Sequence, residues 1–191
     1  MYNSIVLLGP TATGKTAVGV ALARALKGEI LSADSRQVYR GLDIGSGKDL
    51  AEYGDVPYHL IDIAELSHEY TVFEWQQAFY HAFVDVSARG AVPLLVGGTG
   101  MYIDSVVRGY DLMPIPTNEA LRAQLEAMSL AELVDMLKQL KPNHHNISDF
   151  LDKSRTIKAI EIAHFMQSTA CAELKKTLTP RPNFYPLILG M

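Results

Sequence analysis

The chain has 191 residues, 48% of them hydrophobic, a formal net charge of −4 at pH 7 and a single cysteine. This length fits one domain, or a core with an insertion, and it suffices to bury a sizeable core. The acidic balance excludes a strongly basic nucleic-acid binder, and the lone Cys171 excludes both a disulfide framework and a cysteine-based zinc site. No apolar run is long enough to cross a bilayer, and we expect a cytoplasmic protein.

The chain begins with the pattern of a strand, a glycine loop and a helix. Residues 5–8 form a short apolar run, as in a strand buried on both faces. Residues 9–16 read Gly-Pro-Thr-Ala-Thr-Gly-Lys-Thr and fit the phosphate-loop pattern G-x-x-x-x-G-K-[ST]. Apolar residues then recur with helical spacing and predict the buried face of a helix: Ala17, Val18, Ala21, Leu22, Ala25 and Leu26.

This order predicts a site for a phosphate or diphosphate, without identifying the compound. The glycines let successive backbone N–H groups point inward, and the helix N-terminus adds partial positive charge. The Lys15 ammonium is expected to reach the terminal phosphates, and the Thr16 hydroxyl is expected to hold Mg²⁺. The predicted diphosphate-binding residues are Gly9, Thr11, Ala12, Thr13, Gly14, Lys15 and Thr16.

A second strand is predicted over residues 29–33, and Asp34 follows at its carboxyl end. Ligands of open α/β sheets gather at such ends, so Asp34, Ser35, Arg36 and Gln37 are expected to face the same site. A loop with three glycines follows over residues 39–48.

The next elements complete an alternation of strands and helices. A third strand is predicted over residues 58–63, and Thr71 with Glu74 forms a capping box that begins a helix. A fourth strand over residues 92–96 ends in Gly-Gly-Thr-Gly, and a short helix follows over residues 101–108. The alternation predicts an α/β fold, a P-loop NTPase-like parallel sheet with helices on both faces.

From Tyr110 onward the spacing is helical. Asn118, Ser129 with Glu132, and Ser148 are predicted to cap three successive helices. We expect a helical lid insertion over residues 113–182, between core segments 1–112 and 183–191.

A fifth strand is predicted over residues 187–189, where the chain returns to the sheet. No helix follows that strand in the sequence. An uncovered apolar strand edge favours association, so self-association through this edge is expected.

Five stretches together resemble the tRNA dimethylallyltransferase family, also called tRNA isopentenyltransferases or IPP transferases. They are the phosphate loop, residues 34–39 (Asp-Ser-Arg-Gln-Val-Tyr), 41–45 (Gly-Leu-Asp-Ile-Gly), 94–99 (Leu-Leu-Val-Gly-Gly-Thr) and the lid motif 152–162. The resemblance runs over the whole chain. Three departures are visible: Gly-Ser-Gly-Lys at 45–48 replaces the usual Gly-Thr-Ala-Lys, Lys158 stands where arginine is usual, and family members continue well beyond the position of Met191.

The resemblance implies transfer of a dimethylallyl group from dimethylallyl diphosphate to N6 of adenine 37 in the tRNA anticodon loop. Diphosphate leaves, and the adenine must flip out of its stack. Asp34 is implied to orient N6 and accept its proton, with Lys15 and Thr99 as further catalytic residues. The implied tRNA-facing residues are Asp34, Ser35, Arg36, Gln37, Thr99, Arg122, Ser154, Arg155, Thr156, Ile157 and Lys158.

Three other functions fit the same residues. A small-molecule P-loop kinase would use Asp34 to bind or deprotonate a hydroxyl acceptor. An adenylate isopentenyltransferase would act on free AMP or ADP. A non-catalytic remnant of the family would bind diphosphate or RNA and turn nothing over.

Overall fold

The computed structural model describes residues 1–116, 118–142 and 147–191. It divides the chain into two compact units, one of Met1–Leu112 with Thr179–Met191, the other of Met113–Leu178. The expected division placed residues 179–182 in the insertion. They lie instead in the first unit, where the Thr179 backbone N–H donates to the Gln77 side-chain oxygen at 2.8 Å.

The first unit is built on a five-stranded parallel sheet, as the sequence predicted. Its strands are β1 (Ser4–Leu8), β2 (Gly28–Ala33), β3 (Tyr58–His59), β4 (Val92–Gly97) and β5 (Pro186–Gly190). Their order across the sheet is β3-β2-β4-β1-β5. Because the strands are parallel, each connection from one strand to the next must cross over a face of the sheet.

Seven α-helices accompany the sheet in the described part of the chain. The first unit contains α1 (Lys15–Leu26), α2 (Val72–Ala88), α3 (Gly100–Val107) and a 3₁₀ turn at Leu50–Tyr53. The second unit contains α4 (Glu119–Glu126), α5 (Leu130–Leu140), a 3₁₀ turn at Ile147–Phe150, α6 (Lys153–Met166) and α7 (Thr169–Thr177). None of the helices in the described ranges is both long and apolar enough to span a membrane.

Neighbouring residues of one strand belong to two different hydrophobic clusters, which shows that both faces of the sheet are covered. Leu95 packs in the cluster that α2 and α3 complete, whereas Leu94 packs in the cluster that α1 completes. In the first cluster Trp75 is fully buried and stacks on Tyr102, with ring centroids 4.4 Å apart. The α/β fold with helices on both faces is therefore confirmed.

The predicted buried face of α1 is wrong. Most residues of the predicted face are exposed to solvent. The side of the helix that contacts the sheet carries Gly19, Val20 and Ala23 instead. The helix is apolar on nearly every side, so periodicity alone does not select a face. The close approach of α1 to the sheet selects the buried face. A Cβ at Gly19 would lie 3.0 Å from Val96 Cγ2, which shows how near the helix comes to β4.

The third strand is shorter than predicted. It ends at His59, because Leu60 and Asp62 adopt positive φ values of 68° and 55°. Such residues cannot continue an extended strand. The Asp62 carboxylate instead accepts a hydrogen bond from Lys48 at 2.5 Å.

Helix starts in the second unit depend on side-chain caps. Asn118 and Ser129 cap α4 and α5 as predicted, the latter with a complete capping box. The third predicted cap is wrong, because Ser148 lies in the 3₁₀ turn and α6 begins later. Asp152 caps α6, and its carboxylate accepts from the Arg155 N–H at 2.9 Å.

β5 lies at the edge of the sheet, beside β1. Leu187 and Ile188 on this strand are 37% and 47% exposed. Self-association through this edge stays a prediction.

Gly97 at the end of β4 leaves no space for a side chain. A Cβ there would lie 2.3 Å from the Ala33 carbonyl oxygen and 2.7 Å from Ala33 Cβ. Gly97→Ala should therefore push β2 and β4 apart and lower the free energy of unfolding by about 1–3 kcal/mol or more. Urea titration followed by circular dichroism measures this. Gly100→Ala is the control, because a Cβ at Gly100 meets nothing within 4 Å. Equal unfolding midpoints for the two variants would contradict the prediction.

An ion cluster at the start of β2 predicts acid sensitivity. The Glu29 carboxylate accepts from Arg89 Nη2 at 2.7 Å and contacts His59 Nε2 at 2.6 Å. Hydrogen bonding from Arg89 is the main cause that holds the pKa of Glu29 below its usual 4.5, against the effect of burial. A lowered pKa contributes stability above the unfolded-state value, and this contribution is lost as the pH falls below about 4.5 through the folded-state value.

The Glu29→Gln variant should accordingly be less stable than the parent by about 1–3 kcal/mol at neutral pH. The difference between the two should shrink as the pH falls below the usual pKa of Glu29. Urea unfolding of both proteins across this pH range checks the prediction. A difference that stays constant with pH would show that the carboxylate charge contributes nothing.

Candidate functional site

A cavity of about 280 Å³ lies at the carboxyl edge of the sheet in the first unit. Five of the seven predicted diphosphate-binding residues line it, namely Thr11, Ala12, Gly14, Lys15 and Thr16. Asp34, Gln37 and the Gly97-Gly98 turn line the same cavity. The structure thus brings together the phosphate loop and the acidic end of β2, as expected because the strands of a parallel sheet all end at one edge.

The phosphate loop is curled by its own contacts. Gly14 has a φ of 80° and directly precedes α1, so the helix N-terminus opens onto the loop. The Thr13 hydroxyl donates to the Pro10 carbonyl oxygen at 3.0 Å, and the Lys15 ammonium donates to the same oxygen. The loop therefore combines backbone N–H groups, a helix N-terminus and an ammonium group, which suits an anionic phosphate group.

Asp34 is held by the turn that follows β2. Its Oδ1 accepts from the Arg36 backbone N–H at 2.9 Å. Within the described ranges no residue hydrogen-bonds its Oδ2. Asp34 is half-buried. The backbone therefore orients Oδ1, and Oδ2 can accept a hydrogen bond from a ligand.

Thr99 supports this turn from the next strand. Its hydroxyl accepts from the Ser35 N–H at 2.9 Å and donates to Ser35 Oγ at 3.3 Å. Its own N–H donates to the Ala33 carbonyl oxygen at 3.0 Å. Thr99 therefore fixes the backbone on both sides of Asp34, and its catalytic role stays a prediction.

Gln37 and Lys48 organise the loop of residues 40–47. Gln37 is 8% exposed, accepts from Ser32 Oγ at 3.0 Å and donates to the Gly47 carbonyl oxygen at 3.1 Å. The Lys48 ammonium donates to the Tyr39 carbonyl oxygen and to the carboxylates of Asp43 and Asp62. The oxygen and the nitrogen of the Gln37 amide are thus both hydrogen-bonded within the protein. Contact of Gln37 with tRNA stays a prediction.

Eight cavity-lining residues are not among the predicted site residues: Ser32, Ser46, Gly47, Glu52, Tyr53, Val96, Gly97 and Gly98. Burial, together with the negative charges of Glu52 and Asp34, raises the pKa of Tyr53 to about 12. Its phenol therefore stays protonated at neutral pH and adds a neutral polar group to the cavity. Ser46 and Gly47 belong to the Gly-Ser-Gly-Lys stretch of residues 45–48, whereas no motif marks Glu52 and Tyr53, which lie in the 3₁₀ turn.

The remaining predicted tRNA-facing residues lie in the second unit. Arg122 forms a bidentate ion pair with the buried carboxylate of Glu161, both distances being 2.9 Å. Thr156 and Ile157 are buried inside this unit, 0% and 5% exposed. The exposed residues are Ser154, Arg155 and Lys158. Contact of these side chains with RNA stays a prediction.

The described residues contain no group of three or more His, Cys, Asp or Glu side chains arranged to hold a metal ion. Mg²⁺ typically takes one or two protein oxygens and completes its shell with substrate phosphates and water. The Thr16 hydroxyl at the cavity supplies one such oxygen.

Comparisons with known proteins identify the family of the chain. The family model described as IPP transferase matches residues 37–191, and the one described as isopentenyl transferase matches residues 2–55. The chain is 53% identical over 189 residues to tRNA dimethylallyltransferase 2 of Syntrophotalea carbinolica, covering 99% of this chain and 62% of that protein. It is 50% identical to tRNA dimethylallyltransferase 1 of Geotalea uraniireducens, covering 99% of this chain and 60% of that protein. The chain thus spans about 60% of the length of these curated relatives.

Solved structures show the same fold. The full-length tRNA isopentenylpyrophosphate transferase from Bacillus halodurans is 33% identical with a TM-score of 0.62, over 100% of this chain and 60% of that one. A eukaryotic dimethylallyltransferase acting on tRNA is 23% identical with a TM-score of 0.74, over 100% of this chain and 48% of that one. The second similarity concerns the fold alone.

Proposed function

This chain belongs to the IPP transferase family, and from that premise we propose that it modifies tRNA. The proposed reaction moves the dimethylallyl group of dimethylallyl diphosphate to N6 of adenine 37 and releases diphosphate. One observation carries the proposal: the phosphate loop and the Asp34 carboxylate line one cavity. A diphosphate leaving group and an amine nucleophile can therefore be bound side by side.

The phosphate loop serves the leaving group. Negative charge grows on the diphosphate as its bond to C1 breaks, and preorganised donors around that charge lower the barrier. The loop N–H groups and the Lys15 ammonium are such donors. Mg²⁺ would be held by the Thr16 hydroxyl together with the diphosphate, and it would supply further positive charge there.

Asp34 serves the nucleophile. The N6 amine is weakly nucleophilic because its lone pair is delocalised into the purine ring, and its protons become acidic as the new C–N bond forms. Asp34 Oδ2 can accept one of these protons, while the Arg36 N–H holds Oδ1 in place at 2.9 Å. The carboxylate thus orients N6 first and takes its proton late in the step.

Exposed cations provide contacts for the RNA. Arg36 beside Asp34, and Arg155 and Lys158 on α6, are exposed side chains able to meet phosphates. We include Ser35, Ser154 and Thr99 in the same proposed RNA-facing set.

The test is a transfer assay with this polypeptide, labelled dimethylallyl diphosphate and several acceptors. We expect transfer to an anticodon stem-loop with adenine at position 37 and none to the same RNA with inosine there, because inosine lacks the N6 amine. Transfer to free AMP would show an adenylate enzyme instead. ATP hydrolysis or phosphate transfer without any prenyl transfer would show a kinase, and diphosphate binding without turnover would show a non-catalytic protein.

A further inference from the structure

Ile44 is a large apolar side chain that the fold leaves 97% exposed. It lies near the tip of the loop of residues 40–47, which follows the Asp34 turn. Single exposed apolar residues are ordinary on protein surfaces, so exposure alone assigns no role. The anchoring of the loop and its position beside the cavity distinguish this one.

The loop is anchored at its base by a buried ammonium. Lys48 Nζ donates to the Tyr39 carbonyl oxygen at 2.8 Å and to the carboxylates of Asp43 at 2.9 Å and Asp62 at 2.5 Å. Burial alone would lower the pKa of Lys48, but the hydrogen bonds to Asp62 and Asp43 outweigh it and raise the pKa. The ammonium therefore stays charged and holds both ends of the loop together.

The same ion pairs set the charge of the tip. Asp43 immediately precedes Ile44, and an unpaired carboxylate there would repel a nucleic-acid backbone. Lys48 partly offsets this charge, although its ammonium is shared with Asp62, so the apolar tip has less negative charge beside it than an unpaired Asp43 would leave. A surface of this kind can approach a polyanion.

The tip also lies next to the catalytic cavity. Ser46 and Gly47 line the cavity that contains Asp34, and the Gly47 carbonyl oxygen accepts from Gln37 at 3.1 Å. Ile44 is two residues from Ser46, so their Cα atoms are at most about 7 Å apart. Ile44 therefore lies close to the wall of the cavity that contains Asp34.

On the proposed function, the target adenine must leave its stack and enter this cavity, and a gap then opens in the RNA. Proteins that unstack bases commonly insert an apolar wedge such as Ile, Leu, Met or Phe. We propose that Ile44 is this wedge, entering the anticodon loop of tRNA at the place vacated by the target adenine and packing against the flanking bases. This inference rests on the proposed function, since it needs RNA bound at the cavity.

The test uses an anticodon stem-loop with 2-aminopurine at position 37, whose fluorescence rises when the base leaves its stack. This base lacks the N6 amine, so the signal reports extrusion without chemistry. The parent chain should raise the fluorescence. Ile44→Ala should weaken the extruded complex about tenfold to hundredfold, because it removes most of the buried apolar side chain. Ile44→Met, which keeps the volume, should retain most of the signal.

Two controls separate the wedge from general damage. Val84→Ala truncates another exposed apolar residue, 50% exposed on α2, and should leave extrusion unchanged. Diphosphate binding with Mg²⁺ should be equal in Ile44→Ala and the parent, which shows an intact cavity. Full extrusion by Ile44→Ala would overturn the wedge. A parent that transfers the prenyl group without any fluorescence rise would overturn the wedge and leave the proposed function standing, whereas a parent that neither extrudes nor transfers would overturn both.

Discussion

Asp34→Asn is expected to lower the rate of prenyl transfer about 10²–10⁴-fold, because the amide cannot accept the proton from N6. The affinity for dimethylallyl diphosphate should change little, since the phosphate loop supplies that binding. The substitution keeps the side-chain shape, and the amide oxygen can still accept the Arg36 N–H bond of 2.9 Å. A fall in turnover with little change in affinity would mark an interaction made only in the transition state.

Single-turnover kinetics with enzyme in excess measure the transfer step directly. Glu52→Gln is a matched control, because it removes a second carboxylate that lines the same cavity. If Glu52→Gln lowers the transfer rate as much as Asp34→Asn does, the negative charge of the cavity would explain both losses. Asp34 would then need no role as proton acceptor. An Asp34→Asn protein as fast as the parent would end the base assignment.

Lys15→Ala is expected to weaken diphosphate binding about a hundredfold or more, because it removes a charged partner of the diphosphate. The free energy of unfolding should change little. The Lys15 ammonium hydrogen-bonds only the Pro10 carbonyl oxygen among the described groups, and the side chain is partly exposed. Substitutions at such positions seldom destabilise a fold.

Calorimetric titration with diphosphate and Mg²⁺ measures the affinity, and urea unfolding measures the stability. Lys176→Ala serves as the control for net charge, because this lysine lies on α7 with its side chain 70% exposed. Equal diphosphate affinity in Lys15→Ala and the parent would refute the phosphate-loop assignment. A similar loss in Lys176→Ala would instead show a general effect of charge.

Local chemistry explains why much of the fold and the phosphate site could be predicted. The phosphate loop depends on a few residues at fixed spacing between a strand and a helix, and all of them are adjacent in the chain. The parallel sheet follows from the alternation of apolar strands with helices, and the capping boxes at Thr71 and Ser129 involve residues three positions apart. Asp34 could be placed because parallel strands all end at one edge.

Predictions failed where the local signal was ambiguous or absent. The α1 helix is apolar nearly all round, and only the close approach of Gly19 to Val96 selects its buried face. The residues 60–63 have the composition of a strand, yet positive φ values at Leu60 and Asp62 end it. For α6, Ser148 and Asp152 are both good caps by type, and in the structure Asp152 caps the helix whereas Ser148 lies in the preceding 3₁₀ turn.

Local patterns in the chain were enough to predict the parallel α/β architecture, the phosphate loop with Lys15 and Thr16, and the place of Asp34 at a strand end. The side chains that complete the cavity become visible only in the folded protein. Glu52 and Tyr53 reach the cavity through a 3₁₀ turn that no motif includes, and Lys48 joins Asp62 across 14 positions of sequence. Such contacts depend on loop closure and on burial of one specific ion pair, and neither leaves a periodic pattern in the chain.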